Sequence, residues 1–300
     1  MTIREYELLL ASVGTEVTAT ISEIGASIRL LKVSVVDVIQ PYRKGPPPLA
    51  AGIVLLPWPN RIDAGRWAVN AVEQQLNITD PVSNSAIHGL LADTCYHLVS
   101  HEPDAVTLGA DINYPAGYPF QLRTTVRYRL VNEGLRVEHT VVNSGTSPAP
   151  VAIGAHPYLR FGSTPVDDLI LTIPARRHIV LDDRNLPLRT EDVDGTPFDL
   201  RRGVRVRDVP THIAFSNLES QNGVIQLLLS DGNQIIELWA EPTFSWAQLY
   251  RTTAFPGPDG SAIAAEPMTA PVNAFRSGIG LRWVDPGEKW SLSWGITSRS

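Results

Sequence analysis

Twenty-four prolines and twenty-two glycines are distributed along the whole of this 300-residue chain, and that punctuation restricts the fold more than any other feature. Proline fixes φ and removes a backbone donor, so a sequence broken this often cannot sustain long helices, whereas short strands joined by turns accommodate it. The segments between the breaks agree. Residues 125–131 read TVRYRLV, 135–142 read LRVEHTVV and 224–229 read VIQLLL, each short, rich in β-formers and bounded by turn residues. Asn132, Glu133 and Gly134 separate the first two runs, and Ser230 to Asn233 separate 224–229 from 234–240; both are hairpin signals. No self-similarity with a period of 20 to 50 residues is visible, which argues against a propeller or solenoid. The expected class is all-β, a large antiparallel β-sandwich, with residues 1–300 forming a single domain, since such folds often reach this size as one unit. Two stretches read as long functional loops, Pro41 to Pro59 and Arg251 to Pro271.

A chain with 43% hydrophobic and 19% charged residues has material for a sizeable core. Its formal charge of −6, spread without like-charged runs, lacks the basic footprint that a nucleic acid or an anionic membrane requires, so neither is expected as a partner. The single Cys95 cannot form an internal disulfide and reads as a buried or inert thiol. No cysteine cluster or close histidine pattern points to a metal, and no cofactor is expected. The N-terminus, with Arg4, Glu5 and Glu7 ahead of a short apolar run, does not have the form of a secretory signal. No apolar stretch reaches the roughly 18 residues of a spanning helix, and a cytoplasmic location is the simplest expectation.

Several strings carry possible chemistry. In Pro57-Trp58-Pro59-Asn60-Arg61 two prolines fix the backbone around an indole and present an amide beside a guanidinium, donors suited to a polyhydroxylated ligand; a Trp-anchored structural turn is the plainer reading. Ile87-His88-Gly89-Leu90 holds a histidine beside a glycine that permits close backbone approach, though such a histidine is often only a turn residue. Gly154-Ala155-His156-Pro157-Tyr158 places an imidazole at a strand end, able to donate or accept a proton near neutral pH. Glu266, in Ala264-Ala265-Glu266-Pro267-Met268-Thr269-Ala270-Pro271-Val272-Asn273-Ala274-Phe275, is flanked by small apolar residues; facing inward it would be desolvated and more basic, facing outward an ordinary loop carboxylate. Alternation along 244–250 puts Phe244, Trp246, Gln248 and Tyr250 on one face, aromatic surface beside an amide.

Taken together and in this order, PWPNR, IHG, GAHPY and EPMTAPVNAF resemble the aldose 1-epimerase (galactose mutarotase) family, over residues 52 to 275 and more loosely to the C-terminus. The resemblance implies a galactose-mutarotase-type sandwich with a sugar site in a cleft on one face. It implies Glu266 as general base and His156 as general acid, Arg61 and His88 as sugar-binding residues, and Asn60 and Gln248 as their companions. The reaction would interconvert the α and β anomers of a free aldose by ring opening and closure, with His156 starting protonated and Glu266 ionised. One departure stands out. Between Val209 and Leu218, where relatives carry a sugar-binding aspartate, His212 occupies the aligned position, and Asp208 lies nearby. That substitution keeps open a carbohydrate-binding or regulatory homologue without catalysis; a mutarotase acting on a phosphorylated hexose is a separate alternative, for which the motifs offer no additional Arg/Lys cluster to hold a phosphate. A glycoside hydrolase would need two carboxylates flanking the scissile bond; the acidic pairs Asp167-Asp168 and Asp182-Asp183 sit in no comparable motif.

Overall fold

The structure is a computed structural model and describes residues 3–257 and 260–299. Two large antiparallel sheets dominate it. The first has ten strands; along its main path the order is His97–Glu102, Ala105–Asn113, Gln121–Val131, Gly134–Asn143, Lys289–Arg299, Ile235–Ala240, Val224–Ser230, Ile170–Thr172 and Val204–Arg205. The second has eight, with Pro187–Asp192, Ala175–Leu181, His212–Leu218, Trp246–Thr252, Ala262–Met268, Gly154–Ala155 and Val54–Leu55 in sequence across it. A four-stranded sheet built from Glu5–Ser12, Thr15–Ser22, Ile28–Val33 and Val36–Asp37 adds to these. Among the described residues, α-helix is confined to one turn, Ala274–Ser277.

The pleat explains why these segments form strands. Along Gln121–Val131 the inward side chains Leu122, Thr124, Val126, Tyr128 and Leu130 are buried and their neighbours are not, the pattern of a half-buried antiparallel strand. Its partner Gly134–Asn143 turns Leu135, Val137, His139 and Val141 inward. One continuous apolar cluster joins these to Phe215, Ala247, Leu249, Ile263 and Ala265 of the eight-stranded sheet, so the core lies between the two inner faces, as in other sandwiches. Both hairpins expected from turn residues are present: Val131 pairs with Gly134 across a two-residue loop, and Ser230 pairs with Ile235.

The second long loop is much shorter than its composition implies. Most of Arg251 to Pro271 belongs to two paired strands, Trp246–Thr252 and Ala262–Met268, leaving only residues 253–261 between them, of which Pro258 and Asp259 lie outside the described residues. Glu266 therefore sits on a central strand. All seven residues of that strand are buried, so it shows no alternation for the sequence to display. Phe244 precedes the strand and is buried in the main core, away from the face carrying Gln248 and Tyr250. Cys95 is exposed, although its segment is tied down on either side, where the Thr94 carbonyl accepts from Gly25 and the Tyr96 amide donates to Glu23. Among the described residues no helix is long and apolar enough to cross a membrane.

Candidate active site

Strand register brings the chemistry together. Opposite residues of an antiparallel pair share a face, so the pairings Ala214–Gln248 and Gln248–Glu266 set Gln248 beside Glu266, and the pairing His212–Tyr250 sets those two rings on the same surface. His156 enters from the segment between Gly154–Ala155 and Tyr158–Leu159. Its backbone is fixed on both sides: the amide donates to the Ile53 carbonyl at 3.1 Å, and its carbonyl accepts from Gly52 at 2.8 Å. The Ala265 amide donates to the Pro157 carbonyl at 3.1 Å, tying the histidine segment to the residue before Glu266. The result is an imidazole Nε2 at 3.3 Å from Glu266 Oε1, with both side chains almost wholly buried.

The PWPNR and IHG segments supply the opposite wall. Trp58 is buried against Phe275, ring centroids 5.2 Å apart, so the indole anchors the turn. Asn60 adopts a left-handed backbone at φ 56°, and its carbonyl accepts from the His88 amide at 3.0 Å. Its side chain donates through Nδ2 to Gln248 Oε1 at 3.1 Å while Oδ1 accepts from the Arg61 amide at 2.9 Å. Arg61 begins a short strand, Arg61–Asp63, paired with Ser85–Ile87. Its Nε donates to Asp80 Oδ2 at 3.0 Å and to Ser83 Oγ at 3.1 Å. Asn273 clips the same strand from the far end of the EPMTAPVNAF motif, donating its amide to the Arg61 carbonyl and accepting the Asp63 amide on Oδ1. His88 stands edge-on to His156 with ring centroids 5.2 Å apart.

All six residues singled out from the sequence, Asn60, Arg61, His88, His156, Gln248 and Glu266, line one cavity of about 450 Å³. That volume suits a monosaccharide-sized ligand. Asp80, Asp183, Arg184, His212 and Tyr250 line it too. Asp80 and Ser83 lie outside every motif because their work is to hold Arg61, and a residue that acts through another has no signature of its own; Asn273 lies within a motif, but its bracing role is visible only in the structure. Asp208 is exposed and is not part of the cavity wall; His212 is, stacked on Tyr250 at 4.7 Å.

Burial dominates the electrostatics. It raises the Glu266 carboxyl to about 8, against a smaller opposing pull from the Arg61 charge. Burial also lowers His156 to about 4, and takes His88 well below its ordinary value with help from His156 and Arg61. His212 is lowered by burial and by Arg61. For Asp80 burial acts upward but is outweighed by the Ser83 hydroxyl and the Arg61 guanidinium, so its carboxyl is held below the usual range. His88 Nδ1, His156 Nδ1 and Glu266 Oε2 are buried without a hydrogen-bond partner among the described residues. Unpaired buried polar atoms are uncommon in folded proteins, and their concentration here fits a site shaped for a polar ligand. Among the described residues no group of three or more His, Cys, Asp or Glu is arranged to hold a metal ion.

The antiparallel sandwich thus holds a carboxylic acid and an imidazole in buried contact at a cavity walled by amide and guanidinium groups. The family model for aldose 1-epimerase matches residues 7–297, and the chain belongs to that family. It is similar to the uncharacterized Escherichia coli K12 protein YihR, 31% identical over 280 residues that cover 93% of this chain and 89% of YihR. Its fold is that of a galactose mutarotase-like protein from Clostridium acetobutylicum, with TM-score 0.84 and 19% identity over 100% of this chain and 99% of the other. The galactose 1-epimerase of Lactobacillus acidophilus gives TM-score 0.80 and 19% identity, covering 99% of each chain.

Proposed function

We propose that the protein is a cofactor-independent mutarotase that interconverts the anomers of a free aldose by general acid/base catalysis. The observation that carries the reading is the buried contact between His156 Nε2 and Glu266 Oε1 at the wall of a cavity of monosaccharide size. Ring opening requires a base to take the anomeric hydroxyl proton and an acid to protonate the ring oxygen. Rotation about C1–C2 then exposes the other carbonyl face, and closure reverses both transfers. Concerted help of this kind typically gives about 10²–10⁴-fold per group.

A pair holding one proton between its members can run this cycle. With the ring closed, Glu266 is the carboxylate and His156 the imidazolium; when Glu266 has taken the anomeric proton and His156 has given one to the ring oxygen, the open-chain state faces a neutral acid and a neutral imidazole. Burial favours the neutral arrangement, and mutual attraction at 3.3 Å with sugar hydroxyls donating to the carboxylate favours the charged one. Opposing preferences narrow the gap between the two states the cycle must visit. Arg61 and His88 hold the hydroxyls, with Asn60 and Gln248 fixing one another and the edge of the cavity. Glu266→Gln is expected to keep the fold and to lower the mutarotation rate by about 10²–10⁴-fold; wild-type rates in a polarimetric assay with freshly dissolved α-aldose would remove Glu266 from the mechanism.

One observation supports a second substrate reading. Arg61 and Arg184 line the cavity and supply positive charge on the side a hexose phosphate would need, although both guanidiniums are already paired, with Asp80 and Asp63. A panel containing both free hexoses and hexose 6-phosphates separates the two by kcat/KM.

A further inference from the structure

The expected sugar-binding aspartate is absent from the His212 strand, yet an uncommitted carboxylate reaches the same cavity from the neighbouring one. Strand Ala175–Leu181 pairs with His212–Leu218 through Ile179 and Ala214, and the turn at its end, residues 182–186, brings Asp183 to the cavity wall. The turn has its own scaffold. Asp182 Oδ1 accepts the backbone amides of Arg184 and Leu186, each at 2.8 Å, which closes the loop on itself. Arg184 then reaches over the cavity edge to the Arg61 side: Nη2 donates to Asp63 Oδ1 at 2.6 Å and Nε to the Ser83 carbonyl at 2.9 Å. Asp63 lies on the strand that begins with Arg61, and Ser83 is one of the groups holding the Arg61 guanidinium. Asp183 is thus the exposed residue between two anchored neighbours, and among the described residues its carboxylate makes no hydrogen bond or ion pair.

We propose that Asp183 is a substrate-binding residue, a carboxylate at the cavity wall that accepts hydrogen bonds from sugar hydroxyls. This rests on the mutarotase reading for the identity of the ligand as a polyol. A carboxylate has about four lone-pair sites and no donor, so it selects a sugar presenting one hydroxyl or a neighbouring pair at its mouth-side edge and disfavours the analogue lacking them. Exposed where Glu266 and His156 are buried, it holds the closed and opening ring alike, and so acts on KM and leaves kcat largely alone.

The test is Asp183→Asn, close in shape and outside the hydrogen bonds that close the turn, measured with monosaccharides and their monodeoxy analogues by polarimetry and by titration calorimetry. Expected is a rise of about 10-fold or more in KM and in the calorimetric Kd for the preferred sugar, with kcat within about threefold. One monodeoxy analogue should bind wild type and variant equally, because the hydroxyl in question is already gone. Unchanged affinity across the panel, or a fall in kcat with KM intact, would overturn the assignment. Glu266→Gln run alongside keeps the two claims apart: if it retains full rate the catalytic reading fails, while the calorimetric comparison still decides Asp183.

Discussion

Glu266 and His156 face each other across 3.3 Å in surroundings that oppose charge on both, and this fixes the pH range in which they can work. The acidic limb belongs to His156: with its imidazole held down to about 4, the second proton joins the pair only in that region and removes the proton acceptor. The basic limb belongs to Glu266, whose carboxyl, raised to about 8, gives up the last shared proton there. A bell-shaped kcat/KM with apparent limbs near 4 and near 8 is therefore expected, each limb a property of the pair; a profile that turns at 6.5 would show an unburied histidine in control. The same burial costs stability. A carboxyl raised from 4.5 to about 8 binds its proton more tightly in the native state, so its contribution is fully present below 4.5 and is lost as pH rises through 8. Glu266→Gln has no proton to lose, and its stability relative to wild type should improve by about 4 kcal/mol between pH 5 and pH 8.5. Paired thermal melts at the two pH values measure this, and a difference independent of pH would contradict the buried-acid account.

At the scale of strands and turns, legibility followed exposure. Gln121–Val131 and Gly134–Asn143 alternate because one face meets the core and the other meets solvent, so their pairing could be read from the residues. Ala262–Met268 reads as a loop because it is covered on both faces and filled with alanine around a proline, so the strand that carries Glu266 has no period to detect. Five of the six site residues, Asn60, Arg61, His88, His156 and Glu266, were recoverable because four strings occurred in order, and Gln248 through the alternation of its own strand; Asp80, which braces Arg61, stood outside every string, and Asn273 lay inside one with no sign of its bracing role. Gly89 gives this scale its own test. It sits at φ 83° and bridges to Leu56, and a Cβ there would run into the Leu56 carbonyl. The Leu90 amide donates to that same carbonyl at 2.9 Å, so the collision cannot be relieved without moving the segment that aims His88. Gly89→Ala is expected to cost about 2–4 kcal/mol by denaturant titration and to raise KM through the displaced His88; a variant of native stability would show that this crossing is looser than its geometry.

For the molecule as a whole the decisive titrating groups are histidines placed where they must be neutral. His139 projects from the middle of the ten-stranded sheet and accepts the indole N–H of Trp294 at 2.9 Å, and burial lowers it to about 3. His156 falls to about 4 and His88 well below its ordinary value for the same reason. In the unfolded chain each of the three takes up a proton as pH drops below about 6.5, while Glu266 alone works the other way, holding its proton in the native state until about 8. Near pH 5.5 the unfolded state therefore binds about two more protons than the native one, and stability should fall by roughly 2–3 kcal/mol per pH unit. Against a typical total of about 5–15 kcal/mol, that slope brings unfolding within reach near pH 4, ahead of carboxylate titration. Urea titrations at pH 7, 6, 5 and 4 with a constant m-value would follow it. His139→Gln keeps an acceptor for Trp294 but removes one of the three titrations, and should flatten the slope by about 1.4 kcal/mol per pH unit whatever it does to stability at pH 7. Stability that is level from pH 7 to pH 4 would mean that water or rearrangement lets these histidines charge within the fold; a steep fall that His139→Gln leaves untouched would assign it to other groups.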